Sequence, residues 1–142
     1  MIELISILLV THGLFSAGIL NGAELVFGPQ EDIEEISLKI EDNVDDFAQK
    51  VAKKAMSLDN GEGVLIFVDM IGGSPANVVG RFIQDVDNIE CISGLNLPML
   101  LEALATRNNM NLKELKDACI QAGKEGILDF KERMKSFLND DE

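Results

Sequence analysis

Three short segments of this 142-residue chain hold the residue types that could do chemistry: Thr11-His12-Gly13, the run from Asp69 through Gly72, Gly73 and Ser74 to Pro75, and the run from Ser93 and Gly94 to Pro98. His12 is the only histidine, and an imidazole can serve as acid, base or nucleophile. Asp69 ends a run of apolar residues, so its carboxylate either caps the following loop or faces the same crevice as the histidine. In the second case a hydrogen bond from one ring N–H would set the tautomer and leave the other nitrogen's lone pair free. Gly72-Gly73-Ser74-Pro75 reads as a turn feeding a helix, with Ser74 expected as N-cap and Pro75 at the first helical position. A helix start of that kind favours an anion through its backbone N–H groups and dipole. A histidine nucleophile, an orienting carboxylate and an uncharged anion cradle together suit transient capture of a phosphoryl group, a reaction that rests on positioning and charge stabilisation. None of the three segments contains Lys or Arg, so positive potential there must come from backbone dipoles.

For these segments to act together, the fold must bring them to one place. Residues 2–10 (IELISILLV) are apolar on both faces, as expected for a central parallel strand covered by helices on each side. Residues 14–27 read as a helix stopped by Gly28-Pro29, and Ile33, Ile36, Leu38 and Ile40 mark a weaker strand nearer an edge. Val44, Phe47, Ala48, Val51, Ala52, Ala55 and Met56 recur at helical spacing behind Asn43 as N-cap. Residues 64–69 form a second central strand. A helix from Ser74-Pro75, a short strand over 88–92 and a helix over 100–104 follow. Asn111 and Glu114 open a last clear helix with a capping-box pattern. For 126–130 a short strand is expected, with a helical tail after it. Such alternation predicts one α/β domain over 1–142, a doubly wound, mainly parallel central sheet with helices on both faces. Ligands of such sheets bind beyond the carboxyl ends of the strands at a switch point, where all three segments should meet.

Composition removes several functions. The net charge of −13 repels phosphate backbones and anionic headgroups, so nucleic acid is not an expected partner. The acidic run over 31–46 reads as a solvated face. Cys91 and Cys119 lie in apolar contexts without a CxxC motif or a second histidine, so both are expected as buried thiols, and no metal site is expected. The P-loop and GxGxxG signatures are missing, and no cofactor is implied. Residues 4–23 carry no charge over about the length of a membrane span, yet polar residues and glycines interrupt them and no basic residue precedes Lys39. A cytoplasmic location is therefore expected.

LLVTHGLFSAGIL around His12, LIFVDMIGGSPAN around Asp69 and SGLNLPMLLEAL from Ser93, in this order, resemble the IIA component of the mannose/fructose/sorbose family of the bacterial phosphoenolpyruvate:sugar phosphotransferase system. The resemblance covers nearly the whole chain and loosens over the acidic run and the tail. It implies that His12 accepts a phosphoryl group from the phosphohistidine form of HPr. His12 then passes it to a IIB component, which phosphorylates sugar entering through membrane IIC and IID components. By the same match Asp69 hydrogen-bonds the ring, while Gly13, Gly72, Gly73, Ser74 and Gly94 surround the phosphoryl group. The resemblance also implies a homodimer exchanging a C-terminal strand, here within 126–130. The chain stops soon after the IIA-like region, so the IIB partner is expected as a separate chain.

Three other readings compete. One is the phosphotransfer subunit of a dihydroxyacetone kinase system, which shares the histidine and fold. A second is a hydrolase with Ser74, His12 and Asp69 as a triad, disfavoured because no GxSxG elbow is present. The third is a module that binds a small ligand or regulator without covalent chemistry.

Overall fold

The computed structural model describes residues 3–140. Strand β1 (Ser6–His12) is followed by α1 (Phe15–Phe27), β2 (Ile33–Leu38), α2 (Val44–Leu58), β3 (Val64–Val68) and α3 (Ser74–Phe82). A 3-10 turn, β4 (Ile89–Ser93), α4 (Leu97–Thr106), α5 (Leu112–Glu125) and α6 (Phe130–Asp140) complete the chain. The strands are ordered β2-β1-β3-β4 and every pairing is parallel.

That order dictates the two-faced arrangement. The chain steps from β1 to β2 in one direction and from β2 to β3 and β4 in the other. Crossovers of a single right-handed sense must then change face when the direction reverses. Accordingly Ala23 of α1, Met99, Leu100 and Ala103 of α4 and Leu115 and Cys119 of α5 pack on Ile7, Leu9, Leu65 and Phe67. Phe47, Val51 and Ala55 of α2 and Val78 and Val79 of α3 pack on Leu8, Val10, Ile66 and Val68 of the opposite face. Burial on both sides explains why β1 and β3 read as continuous apolar runs rather than as alternating patterns.

The first strand ends later than its sequence suggested, on His12 rather than on Val10, and it begins at Ser6; position 2 lies outside the described residues. Pairing of Thr11 with Ser37 and of His12 with Leu38 extends it, and the Gly13 N–H still donates to the Leu38 carbonyl at 2.8 Å. The uncharged stretch 4–23 is thus a strand and a helix in succession. Among the described residues no helix is long and apolar enough to cross a membrane.

Two further expectations are corrected. Residues 127–129 form no strand within this chain. Asp129 instead accepts the Glu132 N–H at 3.1 Å and starts α6 at Phe130, with Ile127 and Leu128 left exposed; positions 141 and 142 lie outside the described residues. Cys119 is buried as expected, but Cys91, on the edge strand β4, is only half-buried. Burial, helped by Glu90 at Cys91 and Glu102 at Cys119, pushes both thiols up to about 12, so neither offers thiolate near neutrality. The Asn111–Glu114 capping box forms as its sequence predicts.

Arg107, which follows α4, has no counterpart in the sequence reading. It is buried, and its guanidinium donates to the carbonyls of Ile5, Glu31 and Asp32. It thereby ties the approach to β2 to the start of β1 at the end of the sheet away from His12.

Candidate functional site

The direction of chain progression reverses between β1 and β3, so the crevice opens where their carboxyl ends diverge. His12 closes β1 and Asp69 follows β3, 57 positions apart in sequence. One carboxylate oxygen, Asp69 Oδ2, accepts the His12 backbone N–H at 2.9 Å and lies 2.8 Å from ring Nδ1. The other oxygen accepts the Met70 N–H at 3.0 Å. An ionised carboxylate only accepts, so the proton sits on Nδ1 and Nε2 carries the lone pair. The Asp69 side chain is 13% exposed against 46% for His12: the orienting group is covered and the reactive ring is open.

Burial raises the Asp69 pKa, but the His12 backbone N–H, the ring hydrogen bond and the ring's charge together outweigh it, leaving the carboxyl below its ordinary 3.8. A depressed folded value contributes stability that is fully present above the unfolded value and lost as the pH falls through the folded one. Denaturant midpoints of the wild type and Asp69→Asn should therefore stay furthest apart above the ordinary carboxyl value of 3.8 and draw together as the pH falls below it. A gap that does not change on acidification would contradict the carboxylate's bonded state.

The helix start over this ring is built differently from its sequence expectation. Gly73, not Ser74, is the N-cap; Ser74 is the first helical residue and Pro75 the second. The first helical hydrogen bond runs from the Asn77 N–H to the Gly73 carbonyl at 3.0 Å, so the Ser74 and Ala76 amides precede it and Pro75 has none. A Cβ on Gly73 would lie 2.6 Å from His12 Cε1 and 3.0 Å from Nε2, so only glycine allows the cap to rest against the ring. Gly72 before it has φ +86°, a left-handed conformation that glycine adopts without strain. Nε2 is thus presented to the first turn of α3, whose dipole and unpaired amides supply positive potential.

The other expected residues stand as follows. Gly13 and Gly94 shape the turns after β1 and β4, but their amides are committed, to the Leu38 carbonyl at 2.8 Å and the Val68 carbonyl at 3.1 Å. Gly72, Gly73 and Ser74 lie at the start of α3, beside the His12 ring. The Ser74 hydroxyl has no hydrogen bond to His12, so the Ser–His–Asp arrangement of a hydrolase is not formed. No group of three or more His, Cys, Asp or Glu placed to hold a metal occurs among the described residues.

The sequence reading missed the apolar rim. Leu14, Phe15, Met70 and Ile71 are all exposed beside His12 or Asp69. An open groove of about 590 Å³ runs past Leu14, Phe15, Gly18, Ile19 and Leu95. Large apolar residues placed immediately after the histidine and aspartate turns were the available signal.

The family model described as EIIA-man, PTS system fructose IIA component, matches residues 6–120, which contain both central strands and every residue of the site. The chain belongs to that family. This EIIA chain is 35% identical over 124 residues to the PTS system mannose-specific EIIAB component of Escherichia coli (strain K12), a match covering 87% of this chain and 38% of that relative's length. It is 27% identical over 112 residues to the PTS system fructose-specific EIIA component of Bacillus subtilis (strain 168), covering 79% and 77%. The solved structure of phosphotransferase system component EIIA from Streptococcus agalactiae matches it with a TM-score of 0.83 at 32% identity, covering 90% of this chain and 98% of the other. EIIA components are phosphotransferases, and their fold is the one described above.

Proposed function

We propose that this EIIA chain is a phosphocarrier of sugar uptake, accepting a phosphoryl group on His12 Nε2 from the phosphohistidine of HPr and passing it to a IIB component on a separate chain. The observation that carries this reading is the pairing of His12 Nδ1 with Asp69 Oδ2 at 2.8 Å, with Nε2 turned toward the start of α3. The Nε2 lone pair forms the new N–P bond while the donor's N–P bond breaks and its electron pair returns to the donor imidazole. The proton on Nδ1 stays in place, and Asp69 offsets the positive charge developing on the acceptor ring. Gly72, Gly73 and Ser74 hold the phosphoryl oxygens through backbone amides, supplemented by the Ser74 hydroxyl.

The rim of Leu14, Phe15, Met70 and Ile71 supports protein partners over a small diffusible substrate, because an apolar collar around a reactive group suits an interface core. HPr and the IIB component dock there in turn, with IIC and IID reached only through IIB. A cytoplasmic location follows from these partners, and nucleic acid is not among them. The reading takes residues 1–142 as one domain and the protein as a homodimer. Exposed Ile127 and Leu128, with β4 at the sheet edge, support strand exchange there. Relatives named as a mannose-specific EIIAB component and as fructose- and sorbose-specific EIIA components favour this role over the dihydroxyacetone kinase subunit.

Intact mass after incubation with phosphoenolpyruvate, enzyme I and HPr tests the proposal. A gain of one acid-labile phosphoryl group that requires HPr is expected, and native mass spectra of the same sample should show the dimer. No gain with an active HPr would leave the non-covalent binding module as the better reading.

A further inference from the structure

Beneath the first turn of α1, on the sheet face opposite α3, polar side chains occupy a place where the pattern calls for apolar ones. Thr11 and Ser16 are fully buried. The N-cap of α1 is Leu14, which supplies no side-chain acceptor, so the acceptors come from other elements. Thr11 Oγ1 takes the Ser16 N–H at 2.9 Å. Ser16 Oγ donates to Glu35 Oε2 at 2.6 Å, and Ser37 Oγ donates to the same oxygen at 3.0 Å while lying 3.1 Å from Ser16 Oγ. Glu35 and Ser37 both belong to β2, so one carboxylate oxygen clamps the start of α1 to the edge strand.

The clamp bears on His12 because only Gly13 and Leu14 separate β1 from α1. With so short a connection, a shift of Ser16 cannot be absorbed before it reaches His12. Gly13 is bound to the same strand through the Leu38 carbonyl. Asp69 therefore holds the imidazole from the β3 side, and the Glu35 cluster holds its backbone from the β2 side. We infer that Glu35, acting through Ser16 and Ser37, is a positioning residue that sets the register of His12 between Asp69 and the Gly73 cap. Glu35 does not touch the phosphoryl group. Its role in transfer rests on the phosphocarrier reading above, whereas its effect on the ring does not.

The decisive comparison is Glu35→Ala with Glu35→Gln in the full chain, read by imidazole ¹⁵N NMR and by transfer kinetics from phospho-HPr. Gln loses the charge but keeps an oxygen that can accept from both hydroxyls. In Glu35→Ala the single Nδ1–H tautomer should give way to a mixture, and kcat should fall about tenfold with KM within about twofold. Glu35→Gln should restore both. If Glu35→Ala is poorly folded, Ser37→Ala, which removes one half-buried hydroxyl, should show the same change in smaller measure. A retained single tautomer in Glu35→Ala would overturn the inference, as would a Glu35→Gln that behaves like Glu35→Ala or an effect confined to KM. Should the wild type accept no phosphoryl group, the phosphocarrier reading fails, and the NMR comparison still decides the positioning role.

Discussion

Replacing His12 with Gln is expected to abolish phosphoryl transfer while moving the unfolding free energy by less than about 1 kcal/mol. The imidazole is 46% exposed, and its one side-chain hydrogen bond is to Asp69. The Gln amide can donate to the same Oδ2, and the backbone N–H of position 12 keeps its own bond at 2.9 Å. What disappears is the ring nitrogen with a free lone pair, for which an amide offers no substitute. Phosphorylated mass and thermal melting on the same preparation check both halves. Phosphoryl uptake by the variant would place the acceptor elsewhere, and unfolding of the variant would make His12 a structural residue. Acid should act in the same direction on the wild type, because protonation of Nε2 consumes the lone pair.

Gly73→Ala should slow transfer on the order of 100-fold and still leave a stable protein. At φ −102° and ψ 167° an alanine suits the backbone, and restricting the unfolded chain contributes about 0.4–1 kcal/mol of stability at such a site. The new methyl meets His12 Cε1 at 2.6 Å, a distance neither group tolerates, and the ring is open enough to swing away. Swinging breaks the Nδ1–Asp69 bond and moves Nε2 off the α3 amides. Displacements of about 1 Å in such arrangements cost on the order of 100-fold in rate. Transfer rates combined with denaturant titration separate this outcome from simple misfolding. A near-normal rate would mean that the cap does not set the ring's position.

Much of the architecture was legible in the chain because it is encoded in local periodicity. The runs IELISILLV and VLIFV, apolar on both faces, required strands covered by helices on each side, and β3 is buried throughout while β1 is buried from Ser6 to Thr11. The Asn43 and Asn111 caps are one-turn patterns that involve no distant residue, and both form. That the histidine, aspartate and glycine segments share one end of the sheet followed from the parallel topology alone.

What sequence could not determine depends on contacts between elements far apart in the chain. Ser74-Pro75 is a good cap by local preference, yet the helix begins with Gly73 as its cap, where the His12 ring occupies the space a side chain would need. Ser16 and Glu35 look like ordinary surface-type residues until β2 lies beside β1 and brings them to 2.6 Å. Arg107 has no local signal, since its partners are carbonyls from residues 5, 31 and 32. Ile127, Leu128 and Phe130 satisfied a strand pattern over 126–130, but pairing requires a neighbouring edge, and within its own chain Asp129 starts a helix instead. Composition and periodicity determined the layers, the strand faces and the end of the sheet where chemistry would gather. Packing decided which atoms meet there, because hydrogen bonds and steric exclusion act at distances that only the folded chain defines.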